Sequence, residues 1–144
     1  MGLSRALDIS TSGIMAERQH MELIASNIAN INSTKTVDGT AYKRKMQVYH
    51  EKPLVFSDEL DKASNRLEKS AGVEFKVVED NSSKLQRIYN PSHPDADKDG
   101  FVTMPNVSLA TEMTDLVYAG KLYEANITVF NATKKMNTDI LQLQ

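Results

Sequence analysis

The residues best able to do chemistry lie in one acidic stretch, Asp95-Ala96-Asp97-Lys98-Asp99-Gly100. Its D-x-D-x-D-G spacing opens a calcium-binding EF-hand loop, in which alternate carboxylates converge on one hard cation, and Val102 stands where such a loop takes an aliphatic residue. The twelfth loop position is Asn106, which cannot offer the bidentate carboxylate that closes the cage, and Pro91, Pro94 and Pro105 deny the flanking helices. The stretch therefore reads as an Asx-rich turn, and a small calcium- or ligand-binding module built on loop 95–106 is the alternative function. Glu17 and His20, at i and i+3, form half of a di-iron pattern that needs a second such pair, and the chain has none. His50 and His93 have no ligand-spaced neighbour. Serines are plentiful, but no G-x-S-x-G elbow sets one beside a histidine and an acid, and the chain has no cysteine. No catalytic, cofactor-binding or metal residue is assigned, and an enzyme is not expected.

The elements that would position such residues are set by punctuation. All four prolines (Pro53, Pro91, Pro94 and Pro105) fall in the middle of the 144-residue chain, so both ends are free to be helical. Leu7, Ile14, Met21 and Ile28 recur every seven residues, with Leu3, Ile24 and Ile31 on an adjoining row, which predicts a helix from about Leu3 to Asn30 with an apolar seam. Thr11-Ser12-Gly13 weakens it locally, since glycine costs about 1 kcal/mol against alanine inside a helix. Leu109, Met113, Leu116, Gly120, Tyr123, Ile127 and Phe130 step by fours and threes, predicting a second helix capped by Asn106 or Ser108. Asn27 and Asn30 are expected to cap or bond neighbouring backbone.

Between the helices, Val73, Phe75 and Val77, then Leu85 and Ile88, alternate around Asp80-Asn81-Ser82-Ser83 and predict a hairpin. Met46, Val48 and Tyr49 predict a further strand, and Leu54-Val55-Phe56 another; residues 58–71 stay unassigned. The fold class expected is α+β: long terminal helices pairing as a coiled-coil-like bundle, with a small β-rich domain between them. The segments are 1–34, 35–104 and 105–144. A helix of about 35 residues reaches roughly 52 Å, while a compact chain of this length has a radius of gyration near 15 Å, so the helices should project and seek further copies. The seam residues Leu7, Ile14, Met21, Ile28, Leu109, Met113, Leu116, Tyr123, Ile127 and Phe130 are the candidate assembly interface, with Gly120, Ala119, Ala125 and Ala132 allowing close approach.

Composition supports a folded, non-enzymatic chain: 40% hydrophobic and 25% charged residues, and a formal net charge of -2 that gives no footprint for nucleic acid. No signal-peptide core and no apolar run of spanning length is visible, so direct membrane insertion is not expected.

Several words of the sequence then take on a family character. Ala25-Ser26-Asn27-Ile28-Ala29-Asn30 followed by Asn32-Ser33-Thr34 resembles the amino-terminal signature of flagellar rod and hook proteins. Tyr42-Lys43-Arg44-Lys45, then Asn90-Pro91-Ser92-His93-Pro94-Asp95-Ala96-Asp97, Gly100-Phe101-Val102, Met104-Pro105-Asn106-Val107, Glu112-Met113 and Tyr123-Glu124-Ala125-Asn126 are similar to the proximal-rod members of that family. The residues that carry the likeness are Ser26, Asn27, Ala29, Asn30, Asn90, Pro91, Pro94, Asp97, Gly100, Pro105, Asn106, Ala125 and Asn126. The resemblance implies a structural subunit of the bacterial flagellar basal body, in a drive shaft that crosses the periplasm. It also implies partners in other copies and other rod proteins, no cofactor, and delivery by the flagellar type III export apparatus without a cleaved signal peptide.

Overall fold

The computed structural model describes residues 2–51 and 72–142. Helix α1 spans Gly2–Ala29, and helix α2 spans Leu109–Gln142. Between them lie strands β1 (Lys45–Glu51), β2 (Val73–Glu79), β3 (Gln86–Tyr89) and β4 (Phe101–Met104), so the fold is α+β with long terminal helices around small sheets. The strand foreseen at 54–56 and the unassigned stretch 58–71 lie outside the described residues.

Helix α1 stops where Asn30 turns its side chain back on the last turn. Its Nδ2 donates to the Ser26 carbonyl at 2.8 Å, which also accepts the Asn30 amide at 3.1 Å, and its Oδ1 accepts from Ser33 Oγ at 3.1 Å. Helix α2 starts behind Ser108, whose carbonyl accepts the Glu112 amide at 2.9 Å. Asn106 does not cap it. Its Oδ1 accepts from the Arg44 amide at 2.7 Å and its Nδ2 donates to the Asp80 carbonyl at 3.1 Å, so the side chain ties two loops together instead.

The predicted hairpin over 72–89 is not formed. Strand β2 pairs with β1, and β3 pairs with β4 in an antiparallel register of Gln86 with Met104 and Tyr89 with Phe101. The reason lies in the connection. Asp80 Oδ1 accepts from the amides of Ser82 and Ser83, closing a local Asx turn, and the Asp80 amide donates to the Arg44 carbonyl at 2.7 Å beside β1. A tight hairpin needs a short primed turn, and this self-contained loop is not one. The β3–β4 hairpin closes over the acidic stretch: Asn90 donates to the Gly100 carbonyl, and Asp97 to that of Phe101, both at 2.9 Å. Gly100 holds φ +78°, and a Cβ there would stand 2.9 Å from the Tyr89 ring, so only glycine suits the turn. Val102 fills the buried side of this hairpin, while Tyr89 and Phe101 meet edge to face on the other at 5.3 Å.

The chain forms two compact units. One comprises Met1–Gln19, Val48–Lys76 and Ala119–Gln144; the other comprises His20–Gln47 and Val77–Tyr118. Each contains a length of both helices. Among the described residues, no helix is long and apolar enough to cross a membrane.

Candidate assembly interface

In the unit built on residues 20–47 and 77–118, α1 and α2 meet through a buried polar cluster. Asn27 is 1% exposed and uses its amide fully. Nδ2 donates to the Lys45 carbonyl at 2.8 Å and to Glu112 Oε2 at 3.0 Å, while Oδ1 accepts from the Tyr42 hydroxyl at 2.9 Å and the Lys45 amide at 3.0 Å. Asn27 thus stitches α1 to β1 and α2 rather than capping its own helix. Glu112, fully buried, also receives Arg44 Nε, and Arg44 Nη2 reaches Asp115 Oδ2 at 2.8 Å. Burial pulls the Arg44 pKa down, but the hydrogen bond and charge of Glu112, then Asp115, outweigh it and raise the value on balance. A buried carboxylate is tolerated because it is both paired and hydrogen-bonded.

In the unit built on residues 1–19, 48–76 and 119–144, contact depends on small residues. A Cβ on Gly13 would lie 3.1 Å from Asn126 Nδ2, so α2 lies close against α1 at this glycine. Ser12 Oγ, bonded to the Ile9 carbonyl, accepts the Val73 amide at 3.1 Å and anchors the start of β2. Tyr49 donates to Glu17 Oε1 at 2.9 Å. The Thr11-Ser12-Gly13 run, a weakness for the helix by itself, is where β2 and α2 both come into contact with α1.

The buried row of α2 is therefore Glu112, Ala119, Asn126 (half-buried) and Thr133, every seventh residue, and that of α1 includes Gly13 (half-buried), Glu17, Ile24 and Asn27. Apart from Ile24, both rows are polar or small. The apolar residues expected at the interface lie beside them. Leu7, Ile14, Met21 and Ile28 are half-buried, with Ile14, Met21 and Ile28 each one residue past Gly13, His20 and Asn27, about 100° round the helix. On α2, Tyr123, Ile127 and Phe130 are half-buried, while Leu109, Met113 and Leu116 are 47%, 56% and 36% exposed. Gly120 faces nothing within 4 Å. Ser26, Asn30 and Asn90 close turns, Pro105 is buried, and Ala29 and Ala125 are exposed.

The acidic stretch is engaged internally. Asp97 Oδ1 accepts from the amides of Asp99 at 3.0 Å and Phe101 at 2.9 Å, its Oδ2 pairs with Arg87, and Asp95 Oδ2 accepts from Thr34 Oγ1 at 2.7 Å. The Phe101 amide holds the Asp97 carboxyl below its ordinary value. Asp97 builds a turn, and the calcium reading of loop 95–106 is not supported.

Sequence reasoning missed two features. The Tyr42–Arg44–Glu112–Asp115 cluster could have been found from Glu112 and Asp115, two acids set among Leu109, Met113 and Leu116. A second apolar row on α2, with Leu122, Val129 and Met136, recurs every seventh residue.

Known sequences match this chain along its length. The family described as "Flagella basal body rod protein" matches residues 7–35, and that described as "Flagellar basal body rod FlgEFG protein C-terminal" matches residues 98–143. The flagellar basal-body rod protein FlgC of Borreliella burgdorferi is 35% identical, over 94% of this chain and 93% of its own length. That of Bacillus subtilis is 36% identical over 96% and 95%, and that of Salmonella typhimurium 32% identical over 99% and 98%.

Proposed function

The chain belongs to the flagellar basal-body rod protein family, and from that premise we propose that its apolar helix rows are the surfaces by which it packs into the rod. It is a structural subunit of the flagellar proximal rod, and it assembles with other rod and basal-body proteins. Its relatives are structural proteins, and on this reading the subunit transmits torque with no chemical step, in a shaft crossing the periplasm. The same reading has the flagellar type III export apparatus deliver it without a cleaved signal peptide.

The observation that carries the interface is the division of labour on α2. The row turned inward is polar or small, while Leu109 and Met113 remain half exposed beside it. Apolar rows at heptad spacing gain stability only when another helix covers them. The test is Ile127→Glu, expressed in cells lacking the native protein. The variant should accumulate with unchanged far-ultraviolet circular dichroism, stay out of basal bodies and leave the cells non-motile. Normal swimming and normal basal bodies would refute the interface.

A further inference from the structure

We propose that α2 carries a second assembly face, formed by Leu122, Ala125, Val129 and Ala132, which receives the first face of α2 from the next copy of this chain. The inference rests on the rod reading and names the partner for one of its surfaces.

Two rows run along α2 beyond Ala119. Gly120, Tyr123, Ile127 and Phe130 step by three, four and three; Leu122, Ala125, Val129 and Ala132 do the same two residues later. At about 100° per residue, these rows lie on opposite flanks of the buried row that holds Ala119, Asn126 and Thr133. The second row is more open: Ala125 and Ala132 are exposed, and Val129 is 54% exposed. One partner helix cannot cover faces that point apart, so each needs its own neighbour.

The rows complement each other in size. With two parallel copies of α2 offset by two residues, Gly120 meets Leu122, Tyr123 meets Ala125, Ile127 meets Val129, and Phe130 meets Ala132. Three of the four layers pair a large side chain with a small one, and the fourth pairs two branched aliphatics. Interdigitated packing requires this, and volume conserved layer by layer avoids both voids and overpacking. An offset of two residues is an axial shift of about 3 Å. Because the two faces differ, the contact is heterologous and repeats from copy to copy.

The chain has no cysteine, so introduced thiols report without background. Basal bodies carrying Ile127→Cys and Val129→Cys in one chain should, on oxidation, give a ladder of covalent dimers and higher multimers, while either single variant stays monomeric. Intact basal bodies without a ladder, dimers from a single variant, or a cross-link to a different rod protein would each overturn the proposal and leave the rod reading standing. Absence of the wild-type chain from basal bodies would overturn the rod reading itself. A size swap covers the case in which the thiol variants fail to assemble. Ala132→Phe should abolish swimming, and adding Phe130→Ala should restore it, with circular dichroism of the purified chains unchanged. A double variant as defective as Ala132→Phe alone refutes the pairing.

Discussion

Replacing Asn27 with alanine removes one side chain and orphans four groups at once: the Lys45 carbonyl and amide, the Tyr42 hydroxyl and one oxygen of Glu112. Asn27 is 1% exposed, so water does not readily take its place. A buried group left without its partner costs about 1–3 kcal/mol, and disturbing a buried charge about 3–5 kcal/mol, but Glu112 keeps Arg44. The expected loss is about 3–5 kcal/mol, a large share of the roughly 5–15 kcal/mol that holds a domain together. With a urea dependence of about 2 kcal/mol per molar, the midpoint measured by circular dichroism at 222 nm should fall by roughly 2 M. Asn27→Asp, nearly the same size, should cost at least as much, because it loses both N–H donors and sets a second carboxylate against Glu112. A midpoint within about 0.5 M of wild type for alanine, or a harmless Asn27→Asp, would refute the view that the amide's hydrogen bonds, rather than its volume, hold α1 to β1 and α2.

Other perturbations separate backbone from packing effects. Gly39 and Gly100 both hold φ near +78°, but only Gly100 has neighbours a Cβ would strike; Gly39→Ala should cost about 1 kcal/mol and Gly100→Ala visibly more, read as two unequal falls in melting temperature. Equal falls would mean that Tyr89 and Pro91 give way freely. Gly120→Ala meets nothing within 4 Å and should raise the stability of the isolated chain by about 0.5–1 kcal/mol, a gain that Gly13→Ala, facing Asn126 at 3.1 Å, should not match. The hydroxyls of Ser82 and Ser83, and then their amides, hold the Asp80 carboxyl well below its ordinary 3.8. A depressed pKa stabilises the folded form above the unfolded value and loses that contribution as pH falls through the folded one. The Ser82 and Ser83 amide resonances should therefore stay flat from pH 7 to about 4 and move only in stronger acid; a midpoint at or above 3.8 would contradict the turn.

Legibility in the sequence followed the strength of the hydropathy signal. Both helices could be read because their apolar residues recur at helical spacing over many turns, and the glycine at position 100 marked a turn. Strand pairing could not. Val73 to Val77 and Leu85 to Ile88 advertise two strands, but their partners depend on whether the Asp80–Ser83 connection closes on itself, and that depends on side-chain hydrogen bonds that no periodicity records. The inner seam was hidden for a related reason: Gly13, Asn27, Glu112, Asn126 and Thr133 carry no hydropathy, so the eye moves to the apolar rows beside them. Gly13 reads in sequence as a weak point of its helix and Gly120 as a site of close approach, yet within the chain Gly13 lies against Asn126 and Gly120 opens onto space.

A polar inner seam with apolar rows beside it is a sensible arrangement for a subunit whose stability is completed by its neighbours. Apolar side chains are non-directional, so a helix pair held by leucines alone can slide by a turn and still bury similar area. The Asn27–Glu112 bond and the Arg44 fork onto Glu112 and Asp115 cannot: a slip of one turn, about 5.4 Å, would leave a buried carboxylate and a buried amide without partners. Polar contacts therefore set the register, and the apolar surface is left for contacts between copies. This predicts that Asn27→Ala, at a temperature where circular dichroism shows the isolated chain still folded, will lower incorporation into basal bodies. Full incorporation of that variant would show that the apolar rows alone set the register.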